Sequence, residues 1–262
     1  PASPAYGITR WKNVLFQMFF YRLARKNPEK TKERLIEMVR EQLGPGYDVY
    51  THFTPRYNPW DQRLCLVPDA DLFDTIRTGA ASVETGTIET FTETGINLTD
   101  GTSIAADIIV TATGLEMQLL SDVRFTVDGV VKDLARSFNY KGMMYSDVPN
   151  LASCFGYTNA SWTLKADLTS AYVCRLLNTM RRRGLRQCTP RVGDEAITPE
   201  PFLSFTSGYV QRALDKLPKQ GSRTPWKLHQ NYALDVMMLR FGSVDDSMEF
   251  SNPAPSRAAR AA

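Results

Sequence analysis

Residues 107–114, DIIVTATG, limit the fold of this chain more than any other stretch. Ile108, Ile109, Val110 and Thr111 are all β-branched, and such a run reads as a buried strand. The chain then turns small at Ala112, Thr113 and Gly114. A strand that simply met solvent would more often stop at Asn, Asp or Pro. Ala and Gly instead let something bulky approach the backbone. The fold therefore needs a sheet around this strand and an occupant beyond its end.

The flanking sequence supplies an α/β pattern with an antiparallel insertion. In WKNVLFQMFFYRLARK, Val14, Leu15, Met18, Phe19 and Leu23 share one helical face, and Asn27-Pro28 breaks that helix. A second helix, with Leu35, Met38, Val39 and Leu43 in step, ends at Gly44-Pro45-Gly46. YDVYTHFTPRYNPWDQ reads as a packed irregular loop, RLCLV as a short strand, and DADLFDTIRTG as a short helix capped by Asp69 and closed by Gly79. Asp100-Gly101, between alternating Thr-rich segments, signals a hairpin. Further on, Leu151 to Phe155 reads as a strand leading into Gly156, a loop and a long helix over 163–182. That helix carries Leu164, Leu168, Val173, Leu176, Leu177 and Met180, and it closes with Arg181-Arg182-Arg183 before Gly184. The tail, NPAPSRAARAA over 252–262, has the composition of disorder.

Charge and cysteine use narrow the function. Residues 1–40 hold nine Lys/Arg against three Asp/Glu, a net of +6, so a chain of net +3 carries −3 over residues 41–262. A basic, aromatic first helix fits either an anionic lipid surface or packing on its own protein with its cations in water. The basic excess joins no nucleic-acid-binding motif, so nucleic acid is not expected as a partner. Cys65, Cys154, Cys174 and Cys188 lack metal-ligand spacing, and so do His52 and His229; no metal site is expected. Scattered thiols and the absence of an apolar signal core in PASPAYGITRWK point to the cytoplasm. No GxSxG elbow, P-loop or GxGxxG is present.

What remains is two strand ends that run into small or polar loops, one at 112–114 and one at GYTNASW before the long helix. Ligands of open α/β sheets sit beyond such ends, near helix N-termini. Asn159, Ser161 and Thr163 offer hydrogen bonds there, either to a ligand or as helix caps.

Four blocks in order, HFTPRYNPWDQRLCLVPDADLF, DIIVTATGL, VPNLASCFGYTNASWTLKADL and LPKQGSRTPWKLHQNY, resemble the C-terminal half of class B flavoprotein monooxygenases of the Baeyer–Villiger type. The resemblance spans roughly residues 10–250. It implies two dinucleotide-binding domains, one for FAD and one for NADPH, in which a C4a-peroxyflavin inserts one oxygen atom of O2 into ketones or oxygenates sulfur. The chain would hold incomplete parallel sheets with an antiparallel insertion and a helical N-terminal segment, residues 1–112 being the distal part of the NADPH domain with its helical insertion. Residues 113–251 would be the C-terminal part of the FAD domain. Arg63 aligns with the active-site arginine, whose fixed cation suits the negative charge formed on oxygen in a low-dielectric site. Ala112, Thr113, Gly114, Gly156, Asn159, Ser161 and Thr163 would border the cofactor, converging with Arg63 on one cleft. Trp226, with Lys219, matches the region used as a mobile loop over NADP.

The two GxGxxG motifs of the family have no counterpart in this sequence. A missing N-terminal half is thus an implied partner, and the chain by itself is expected neither to hold FAD nor to turn over. A non-catalytic remnant and a membrane-surface module remain as the alternatives.

Overall fold

The computed structural model describes residues 4–62, 64–65, 67–193 and 196–254. They form two compact units, 1–115 and 116–262.

The first unit opens with α1 (Pro4–Lys26) and α2 (Pro28–Leu43). Asn27-Pro28 separates them as the sequence predicts, with Pro at the first position of α2, where its missing N–H costs nothing. Ile36 and Leu43 of α2 pack with Val49 of α3 (Val49–Phe53) and Ile76 of α4 (Asp71–Arg77) into a small core, edged by Val39, Phe53 and Phe73. The buried face of α2 is thus rotated from the predicted one, and Met38 stands exposed. Helix α3 lies inside the segment expected to be irregular, nucleated by Asp48, whose carboxylate accepts from the Thr51 amide at 3.1 Å. Asp69 does not cap α4; it lies in a preceding 3-10 turn at φ 53°, and Ala70 takes the cap position. Leu64, Cys65 and Val67 form no strand, and the rest of that predicted strand, Arg63 and Leu66, lies outside the described residues.

The exposed face of α1 differs from a packed stripe. Val14 and Ala24 are buried, whereas Leu15, Phe19 and Leu23 of the predicted stripe are exposed, together with Trp11 and Phe16. The inner face is held by the Tyr21–Trp60 ring contact and the Arg25–Asp61 ion pair at 2.6 Å.

Strands β1 (Ile88–Thr92), β2 (Gly95–Leu98) and β3 (Ser103–Ala105) form an antiparallel sheet in sequence order. The predicted hairpin is present: Asn97 faces Ser103, Gly101 adopts φ 91°, and Asp100 accepts from the Thr102 amide at 2.9 Å. The predicted strand at 107–111 is absent. Ile108 and Val110 are 83% and 84% exposed, and no neighbour pairs with them among the described residues. A buried strand needs partners on its edges and cover on both faces, and nothing described in this unit supplies them.

In the second unit, hairpins β4 (Phe125–Val127) with β5 (Val130–Lys132), and β6 (Asn139–Tyr140) with β7 (Met144–Tyr145), lead to α5 (Trp162–Arg183). The helix buries Leu164, Leu168, Tyr172, Leu176 and Met180, each burial of this size contributing about 1.5–3 kcal/mol. It ends as predicted at Gly184 in the left-handed region, φ 64°. Val173 sits at the margin and Leu177 is exposed, a narrower buried stripe than predicted. Leu151 to Phe155 joins no sheet among the described residues; its Ser153 amide donates to the Met143 carbonyl at 2.7 Å.

Beyond α5 come β8 (Gln187–Pro190), β9 (Pro199–Pro201), α6 (Gly208–Ala213), β10 (Lys219–Gly221), α7 (Tyr232–Val236) and β11 (Met248–Ser251). β8 pairs with β11 and β9 with β10. Every strand pair described is antiparallel, which corrects the expectation of incomplete parallel sheets. Parallel pairing is confined to isolated bridges at Pro59–Gln62 and Phe138–Lys219. Short hairpin turns join most neighbours here, and parallel partners require long crossovers instead.

Candidate functional site

The loop 156–161 before α5 is fastened to the segment 228–235. Gln230 does most of the fastening. Its side-chain oxygen accepts from the Thr158 amide at 3.0 Å and the Thr158 hydroxyl at 3.2 Å, and its carbonyl accepts from Asn159 Nδ2 at 2.9 Å. Asn231 then caps α7, accepting from the Ala233 and Leu234 amides.

Beneath the loop lies a buried ion pair. Lys165 projects from the inner face of α5, in step with Leu168, Thr169 and Tyr172. Its ammonium reaches Asp235 Oδ2 at 2.8 Å, and the Tyr157 hydroxyl donates to the same oxygen at 2.6 Å. Both side chains are almost sealed from solvent, 7% exposed for Lys165 and 2% for Asp235. Burial lowers the Lys165 pKa and the carboxylate opposes that shift; burial, then the carboxylate, raises that of Tyr157. Asp235 Oδ1, equally buried, has no hydrogen-bond partner among the described residues. Gly142 makes room for the pair: at φ 77°, a methyl group there would stand 3.0 Å from Lys165 Cε.

Gly156 is buried, and a methyl group on it would lie 2.1 Å from Trp162 Cγ. The indole of Trp162 covers it while remaining half-exposed, and it meets Phe155 at a centroid distance of 5.2 Å. Ser161 occupies the cap position of α5 without capping it, since its hydroxyl pairs with Thr163 Oγ1 at 2.8 Å. The first backbone N–H groups of a 22-residue helix are therefore left without a side-chain cap, facing the region beyond its N-terminus.

The structure thus brings Gly156, Asn159, Ser161 and Thr163 together around one helix start. Ala112, Thr113 and Gly114 belong to the first unit, where they are exposed and Gly114 adopts φ 112°. Arg63 lies outside the described residues. Trp226 is a core residue, 1% exposed, its ring 5.4 Å from Tyr140 and 6.2 Å from Phe138. Lys219 donates to the Leu214 carbonyl at 3.2 Å.

Sequence reasoning missed Lys165, Asp235, Tyr157 and Gln230. A cation on the apolar face of α5 was the available signal, but its partner lies 70 residues away. Among the described residues no cluster of His, Cys, Asp or Glu suits a metal ion, and no helix is long and apolar enough to cross a membrane.

Chemically, an uncapped helix start beside a glycine suits an electron-rich planar group, because N–H donors and close backbone approach are both on offer. No family model matches the chain. It is 51% identical over 96% of its length to the FAD-containing monooxygenase EthA of Mycolicibacterium smegmatis, covering 51% of that protein. It is 47% identical over 95% of its length to the probable FAD-binding monooxygenase AlmA of Acinetobacter baylyi, covering 50%. It is 45% identical over 99% of its length to the putative FAD-containing monooxygenase MymA of Mycobacterium tuberculosis, covering 52%. The chain spans about half the length of the curated relatives it matches. With half its residues or nearly half unchanged along almost its whole length, the chain belongs to the flavoprotein monooxygenases.

Proposed function

We propose that this chain forms part of an FAD- and NADPH-dependent monooxygenase that transfers one oxygen atom of O2 to a ketone, as in Baeyer–Villiger oxidation, or to sulfur. In this reading residues 1–112 belong to the NADPH-binding domain and 113–251 to the FAD-binding domain. The observation that carries it is the start of α5, where the N–H groups lack a side-chain cap beside a buried glycine. Those donors, with Thr163 and Ser161, would take the polar edge of an isoalloxazine ring. Asn159, tied to Gln230, holds the loop in place for it. Ala112, Thr113 and Gly114, in the first unit, would let a cofactor lie close to the backbone there. Trp226, from the core, anchors the segment that leads to Gln230.

Bound FAD, reduced by NADPH, supplies oxygen activation. The chain's own contribution is electrostatic. Arg63 keeps its charge throughout the working pH range and would stabilise negative charge developing on the substrate oxygen. The indole of Trp162 and the ring of Phe155 would keep water from the helix start.

Co-expression with the amino-terminal half of a relative tests the proposal. The pair is expected to retain flavin, oxidise NADPH and yield an ester or a sulfoxide, whereas the chain purified alone retains none. Arg63→Ala should lower product formation about 10²–10³-fold, the range for loss of one preorganised charge-stabilising donor. A co-expressed pair that holds no flavin, or an Arg63→Ala variant with undiminished product, sinks the reading.

A further inference from the structure

The cluster of Lys165, Asp235 and Tyr157 has a use that packing does not explain. Two donors, the Lys165 ammonium and the Tyr157 hydroxyl, crowd onto Asp235 Oδ2 at 2.8 and 2.6 Å. Oδ1 of the same carboxylate has no hydrogen-bond partner among the described residues, although Asp235 is 1% exposed. A buried carboxylate oxygen without a donor is costly, and native proteins rarely leave one so. The cluster lines a cavity of about 10 Å³ together with Gly142, Gly156 and Leu228. A single water needs about this much room, so anything as large as a ring is excluded.

We infer that Lys165 and Asp235 are positioning residues for the 156–161 loop, and that Asp235 Oδ1 is the receptor for one water-sized hydrogen-bond donor seated in this cavity. The loop needs such a fixture. Tyr157, Thr158 and Asn159 are all bonded to residues 230–235, and α5 contributes Lys165 to the same knot. Removing the ammonium leaves Asp235 as an uncompensated buried charge in a cavity walled in part by the apolar rings of Phe155 and Phe202. The seated donor satisfies the remaining oxygen and completes the link between the two segments. His229 also lines the cavity, but its Nε2 is bonded to Thr224 Oγ1 at 3.0 Å. The consequence for cofactor geometry rests on the proposed function; the positioning role itself does not.

Amide hydrogen exchange on the 262-residue chain, without flavin, tests the inference separately from the monooxygenase reading. In Lys165→Met, exchange over 156–161 is expected to rise about tenfold or more, the loss of one charge-assisted hydrogen bond, with β8 and β11 unchanged. Should Lys165→Met fail to fold, the double variant Lys165→Met/Asp235→Leu removes both charges and is expected to fold, since apolar replacement of a buried pair is commonly tolerated. Its loop should still exchange faster, and a high-resolution structure should show a water within hydrogen-bond distance of Oδ1 in the wild type and no water in that cavity in the double variant. Wild-type loop protection in the double variant overturns the positioning role. A protein donor on Oδ1 in place of a small molecule overturns the receptor.

Discussion

Gly156 shows what a single methyl group would do. The space beside its Cα belongs to the indole of Trp162, whose nearest atom would stand 2.1 Å from an added Cβ. Trp162 is half-exposed, so its ring can swing outward and the overlap need not break the fold. Gly156→Ala is therefore expected to cost about 1–2 kcal/mol in a denaturant melt and to shift tryptophan emission to the red. Adding Trp162→Ala should remove most of that cost, a coupling that a double-mutant cycle reads directly. An additive pair of losses would mean that the indole is not what Gly156 accommodates. Gly156 was legible in the sequence as the small residue between the predicted strand 151–155 and the loop before the long helix; the identity of what fills the space beside it was not. Lys165 and Asp235 were less legible still. A lysine on an apolar stripe is ordinarily a snorkelling side chain, and only the folded chain brings Asp235 beside it.

Elements whose cause is local were readable and those whose cause is distant were not. The turn at Asp100-Gly101 and the end of α5 at Gly184 follow from backbone preferences within a few residues. Strands at 107–111 and 151–155 were expected from composition, yet a strand exists only where another strand answers it. The sequence reads as short strands and turns over 115–150, but it does not single out the hairpin of β6 and β7, because Asn139 to Tyr145 looks polar and mixed. What buries it is a second ion pair. Lys141, fully enclosed, donates to Asp246 Oδ1 at 2.7 Å and to the Ser243 carbonyl at 2.8 Å, between the rings of Tyr140 and Tyr172. Burial lowers the Lys141 pKa, with Arg175 adding to the shift and Asp246 opposing it. With the folded pKa below the unfolded one, the unfolded chain binds the proton more readily, so this lysine makes stability rise with pH up to its unfolded pKa. Asp246→Ala should widen that window. The loss is expected to be about 1–3 kcal/mol at pH 7, below the usual range for a buried pair because Asp246 is 38% exposed. It should shrink as pH is raised toward 10, where Lys141 need no longer be charged in the folded state. Thermal melts across that range check the sign, and a deficit independent of pH would assign the cost to packing instead.

For the molecule as a whole, each unit has buried what it can and the first leaves conspicuous apolar surface. Ile108 and Val110 stand more than four-fifths exposed, and Leu115 is 71% exposed. A β-branched run without a sheet is a liability in water, because its unpaired backbone and bare side chains template aggregation. The proposed function gives it an answer: 107–111 would become a strand if the amino-terminal half proposed there supplied its neighbours. Ile108→Lys with Val110→Lys separates this from ordinary packing. Both positions are exposed, so the stability of the 262-residue chain should change by no more than about 0.5 kcal/mol, and its tendency to self-associate should fall. The same pair of lysines, two residues apart, would share one buried face of an assembled sheet, so flavin retention on co-expression should be lost, with a drop of at least about tenfold expected from two unpaired buried charges. A chain that loses its fold from these substitutions would show that 107–111 already packs within the first unit. A chain that still assembles and holds flavin would show that this run never enters a sheet, and the small residues at 112–114 would then have to be explained by the loop alone.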